Sequence, residues 1–213
     1  MNMTRILENR IGKNRLGWLF AEAALIVLGV LLGMMANEWR VAWNNEHEAE
    51  RALLAIRNEL QTNFEQIEAI LPYHRQIDDS LEILAQRIYT QNAKISPLEI
   101  LRAIPKGFTT PLIEKNAWEL LNRTGAISNI DFDLASALSK LYSQQAFYQS
   151  KLDIIGQNLY VAGNLNPENL ASTAIALGLL ANDIVIQEKR LVERYPQMME
   201  RLENYLEQER EIQ

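Results

Sequence analysis

The chain has 213 residues, 48% of them hydrophobic, enough for one domain with a real core plus an anchor. Nine glycines and six prolines leave few tight turns, which argues against an all-β fold. With no cysteine and two histidines, disulfides, thiolate metal centres and multi-histidine sites are excluded. The net charge of −6 is uneven: residues 1–15 carry Arg5, Arg10, Lys13 and Arg15 against Glu8, while residues 37–213 hold 17 basic and 25 acidic side chains. An acidic body without a basic, aromatic-studded stripe excludes nucleic acid as a partner.

From Leu16 to Ala36 there are 21 residues with one charge, Glu22, which matches the roughly 20 needed to cross ~30 Å of hydrocarbon. Trp18 and Trp39 stand ~32 Å apart along a helix, at the spacing of two interfacial aromatic belts, and Trp43 adds a ring one turn on. The run is longer than a usual signal-peptide core, and "GMMANE" lacks small residues at both cleavage positions, so an uncleaved anchor is expected. Basic residues precede the span and only Arg40 and Arg51 follow closely. The positive-inside rule then puts the N-terminus in the cytoplasm and the larger part outside, in the periplasm of a bacterial inner membrane. At 100° per residue Trp18, Glu22, Gly29, Gly33 and Asn37 share one stripe, and Gly29-x-x-x-Gly33 has the spacing that lets helix backbones approach. Glu22 therefore belongs either to a packing face or to the headgroup region.

Beyond Trp39 the helical period continues. Leu53, Ile56, Leu60, Phe64, Ile67 and Leu71 recur at threes and fours, and a break is expected at Pro72. A second stretch carries Ile77, Leu81, Leu84 and Ile88. Ser96-Pro97-Leu98-Glu99 reads as a capping box with proline at the first helical position. After the breaker cluster "PKGFTTP", Thr110-Pro111 is expected to open a helix closed by Gly125 as a left-handed cap. Asp131 or Asp133 then caps a long helix bearing Leu134, Leu138, Leu141, Tyr142, Phe147, Tyr148, Leu152 and Ile155, and Asn166-Pro167 starts another.

Leu170 to Ile186 is apolar but interrupted by Asn182 and Asp183, and reads as a buried helix, a second crossing being the alternative. Ile184, Leu191, Tyr195, Met198, Leu202 and Tyr205 form a seam of threes and fours, with Pro196 expected to kink it. Such a seam is expected inside the fold.

Chemistry is sparse. His47 with Glu50, and Glu46 with Glu50, have metal-ligand spacings, but glutamate-rich helices produce these freely. His74 is read as a solvated or capping residue. Asp78-Asp79 and Asp131 with Asp133 are explained by capping before catalysis. No enzyme activity, cofactor or metal is expected.

Glu22, Gly29, Asn37 and Trp39, with Trp118, Leu121, Gly125 and Ile130 of "NAWELLNRTGAISNI", resemble a family of bacterial single-pass inner-membrane proteins of unknown function. That family has a span closing in Asn-x-Trp and a later aromatic-x-x-Leu-x-x-x-Gly segment. Tyr142 and "QQAFYQ" extend the resemblance over residues 16–155, although Gly33 is commonly alanine in that family. The family supplies no activity to carry over.

The expected architecture is all-α: a basic tail at 1–15, a transmembrane helix at 16–39 continuing outward, and a multi-helix domain at 40–213. The expected role is a non-enzymatic interaction or assembly module whose partners are the lipid bilayer and either a second copy or another membrane protein. A second reading is an accessory subunit of a proton- or ion-linked membrane complex using Glu22, similar in layout to single-pass stator subunits.

Overall fold

A computed structural model describes residues 4–159 and 161–212, and all regular structure among them is helical. Five α-helices follow in order: α1 Thr4–Gln91, α2 Pro97–Ala103, α3 Asn116–Thr124, α4 Phe132–Leu159 and α5 Leu170–Ile212. Short 3-10 turns lie at Ala126–Asn129 and Ala162–Leu165. The chain divides into two compact units, Met1–Glu48 and Ala49–Gln213.

In the second unit α1 and α5 are antiparallel partners. Glu50 pairs with Arg210, Arg57 with Glu203, His74 with Glu188, Asp78 with Asn182, and Leu81 lies against Gly178. As the first number rises the second falls in step, so one register holds for about 30 residues, or ~46 Å of helix. Helix α4 runs parallel to α1, through Tyr142 to Glu59 and Gln145 to Asn63, and antiparallel to α5, through Gln144 to Arg194 and Lys151 to Asp183.

The threes and fours of the sequence explain the packing, since residues so spaced share a helix face. Leu53, Ile56, Leu60 and Ile67 meet Leu134, Leu138 and Leu152 of α4 and Ile184, Leu191 and Leu202 of α5 in one core cluster. A second cluster joins Ile77, Leu81 and Leu84 to Ile100 of α2 and to Leu170, Ala174 and Leu177 of α5. The α5 seam is thus an internal face. The apolar start of α5 also has the length and hydropathy of a membrane span, but 39% of its most apolar window is buried inside the fold.

Local signals set several boundaries. Ser96 donates its backbone N–H (2.8 Å) and its hydroxyl (3.0 Å) to Glu99 Oε2, ahead of Pro97 at the first helical position. Asp131 Oδ1 accepts the Leu134 N–H at 2.9 Å and caps α4. Gly125 ends α3 at φ 76°, ψ 4°, in the left-handed region. A Cβ there would meet nothing within 4 Å, so only the backbone conformation opposes a side chain. Gly125→Ala should therefore cost about 1–2 kcal/mol of stability, read from denaturant unfolding, without altering the folded spectrum.

Four expectations are corrected. Helix α1 does not stop at Pro72 but continues to Gln91. Interior proline costs ~3 kcal/mol, and burying Leu71, His74 and Ile77 on either side of it offsets that. Thr110-Pro111 opens no helix: α3 begins at Asn116, and residues 107–115 before it form an irregular strap. The residue before a proline is pushed out of the α region, and the strap's hydrogen bonds go elsewhere. Phe147 is 49% exposed, outside the core face on which its neighbours lie. Helix α5 starts at Leu170, three residues beyond Pro167.

Candidate functional site

In the first unit every side chain from Trp18 to Asn44 is exposed. Within this stretch a window of mean hydropathy 2.3 has none of its residues buried, and it is long and apolar enough to cross a membrane. Glu22, Gly29, Gly33 and Asn37 all lie on this surface, as do Trp18, Trp39 and Trp43. A Cβ on Gly29 or Gly33 would meet nothing within 4 Å. Asn37 Oδ1 accepts from Arg40 at 3.4 Å, and the His47 ring tilts over Trp43 at 4.2 Å between centroids. The side chains of Arg5, Arg10, Lys13 and Arg15 lie outside the described residues.

The second unit holds its polar chemistry inside. The strap from Ile104 to Lys115 runs along α1, antiparallel to it, and several of its backbone groups are bonded to side chains. Tyr73 Oη donates to the Gly107 carbonyl (2.8 Å) and accepts the Lys106 N–H (3.0 Å). Asn63 clamps Glu114, accepting its N–H and donating to its carbonyl, both at 2.8 Å, and Gln145 donates to the same carbonyl at 2.8 Å. Each bond replaces one the strap would otherwise make to water or to a neighbouring strand.

Glu59 finishes the strap. Its Oε2 accepts the Ala117 N–H at 2.7 Å and its Oε1 the Tyr142 hydroxyl at 2.6 Å. Lys115, at the N-cap of α3, supplies no side-chain cap, so a carboxylate from α1 takes that role and meets the positive end of the helix dipole. Trp118 stacks on Tyr142, centroids 4.9 Å apart and planes 9° from parallel, and Leu121 is fully buried beneath α3.

His74 and Glu188 are both fully buried. His74 Nε2 lies 3.0 Å from the Thr109 carbonyl, which can only accept, so Nε2 carries a proton. Nδ1 lies 2.6 Å from Glu188 Oε1, which also accepts the Tyr148 hydroxyl at 2.7 Å. The surplus acceptor is Glu188 Oε2, buried and without a hydrogen-bond partner. Burial first, and the adjoining carboxylates second, push the hydroxyls of Tyr142 and Tyr148 far above their ordinary range. Tyr195, which donates to Gln145 at 3.0 Å, is raised in the same way. Asp78 is also raised, mainly by burial, against an opposing hydrogen bond from Asn182.

These groups are bonded to one another and to the strap, an arrangement that holds structure and leaves no nucleophile beside a free base. Among the described residues no group of three His, Cys, Asp or Glu side chains could hold a metal, and Glu50 is engaged by Arg210. His74, expected in solvent or at a cap, is instead fully buried. The reason is its phase: it follows Ile67 and Leu71 on the buried stripe of α1.

A groove of about 740 Å³ opens between the strap and α4. Its α4 wall carries Ser139, Ser143, Ala146, Ser150 and Asp153. Pro111, Leu112 and Ile113 form the facing wall, with Trp118 towards the Ser139 end.

In comparisons with known proteins, no family model, curated protein or solved structure matched this chain.

Proposed function

We propose that this is a non-enzymatic protein anchored in a bacterial inner membrane by residues 16–39, with the N-terminus cytoplasmic and a periplasmic helical domain that acts as an interaction or assembly module. The observation that carries the reading is the unbroken exposure of the apolar residues 18–43. Contiguous apolar surface on this scale is far larger than a soluble monomer tolerates and marks contact with lipid or protein. The buried polar groups of the second unit are spent on internal bonds, which favours a binding role over catalysis. The resemblance to single-pass inner-membrane proteins agrees with this layout.

The partner inside the bilayer is a second copy or another membrane protein, met along the Glu22, Gly29, Gly33 and Asn37 stripe, since small residues allow close backbone approach and an acid there gains from a donor on a facing helix. Replacing Gly29 and Gly33 together by isoleucine should weaken crosslinked oligomers in native membranes. An unchanged crosslinking pattern overturns this partner surface but leaves the anchor standing. The anchor itself is tested by alkaline carbonate extraction: the full chain should stay with the membrane, and release into the supernatant would refute it.

A further inference from the structure

The groove beside the strap has two chemically different walls. On α4, the Ser143 hydroxyl donates to the Ser139 carbonyl and that of Ser150 to the Phe147 carbonyl, which commits their protons and leaves oxygen acceptors facing out. Asp153 is exposed and has no ion-pair partner among the described residues; the nearby Lys151 is held by Asp183. Lys115 and Glu119, at the other end, neutralise each other at 2.9 Å. This wall therefore favours a ligand that brings donors, with a cation at the Asp153 end.

The strap wall carries no regular structure, but from Thr109 to Glu114 five steps cover the ~16 Å of α1 between His74 and Asn63, so the chain is stretched out there. Pro111 is buried, Leu112 is 75% exposed and Ile113 packs against the core, so Leu112 faces outward between two inward neighbours. Its neighbours Thr109 and Glu114 are bonded to His74 and Asn63. Among the described residues, however, no hydrogen bond involves the main chain of Leu112 or Ile113. Free amide and carbonyl groups along an extended segment form an open edge, and the group that satisfies such an edge is another extended backbone. From Ser139 to Asp153 the groove follows ~21 Å of α4, the length of about six extended residues.

We propose that this groove receives an extended segment of a partner polypeptide, about six residues long, that pairs with the strap at Leu112 and Ile113, lays small side chains on the serine face of α4, and sets a basic side chain beside Asp153. This names the ligand class for the interaction-module reading and rests on it; carbonate extraction tests the anchor separately, so either can fail alone.

The probes are the synthetic hexapeptide acetyl-Ser-Val-Ser-Val-Ser-Lys-amide, a version ending in Glu, and a version of the first N-methylated at alternate amides. Each is added at about millimolar concentration to the full chain in detergent micelles, and amide hydrogen exchange is followed at Leu112 and Ile113. The lysine peptide should slow exchange there at least about tenfold, the glutamate peptide several-fold less, and the N-methylated peptide not at all. Ala146→Trp, which fills the groove from an exposed position, should abolish the protection while circular dichroism stays unchanged. Asp153→Lys should reverse the preference between the lysine and glutamate peptides. Unchanged exchange with the lysine peptide overturns the proposal, as does protection that survives both N-methylation and Ala146→Trp.

Discussion

Glu188→Leu should destabilise the helical domain by about 3–5 kcal/mol, lowering its thermal midpoint by about 10 °C. The substitution removes the partner of both His74 Nδ1 and the Tyr148 hydroxyl, leaving two fully buried polar groups unbonded. His74→Leu strands the carboxylate instead, in a cluster that already contains one unpaired oxygen, and should cost a similar amount. The double replacement removes both members of the pair and fills the space with apolar volume. It should cost clearly less than the two single changes together, and the double-mutant cycle in urea measures that coupling. Additive effects would mean that the pair is not the unit described above.

The second large effect is alkaline unfolding. In the native state Tyr142, Tyr148 and Tyr195 keep their protons because burial opposes the phenolate and neighbouring carboxylates repel it. In the unfolded chain tyrosine ionises near pH 10. A folded value above the unfolded one means that the native state binds more protons, so stability is complete below about pH 10 and falls as pH rises beyond it. With three such groups the slope reaches about 4 kcal/mol per pH unit. The tyrosinate absorbance of these three rings, isolated by difference against their Tyr→Phe variants, should therefore appear together with loss of helix in one cooperative step. Tyr148→Phe should flatten the slope by about one proton; ionisation of these tyrosines well before helix loss would contradict their enclosure.

Helical periodicity made the three long helices and most of their core legible, because residues at threes and fours must share a face and the apolar ones must be covered. Leu53 through Ile67 on α1 and Ile184 through Leu202 on α5 meet in one core cluster as that pattern requires. What periodicity concealed was polar. Glu59 and Asn63 sit between Ile56 and Ile67 on the same stripe, and Glu188 fills the step between Ile184 and Leu191 in the α5 seam. Read strictly, a charged residue at an apolar phase is itself a signal of a buried partner, here Tyr142, the strap and His74. The partners could not be named from the chain because they depend on register between helices far apart in sequence. Thr110-Pro111 misled for a related reason: a proline after threonine starts many helices, but here side chains 40 or so residues upstream bond the backbone and keep it extended.

The absence of cysteine allows the central claim, that residues 16–39 cross a bilayer with the domain outside, to be tested without background. Single substitutions Asn2→Cys and Leu120→Cys, in otherwise unaltered full chains, are exposed to a membrane-impermeant maleimide in cells with a permeabilised outer membrane and an intact inner one. Leu120 is 58% exposed, so its replacement should label at once in these cells, before lysis. Asn2→Cys should label only after lysis. Labelling of both before lysis, of neither, or of Asn2→Cys alone would contradict a single crossing with the N-terminus inside.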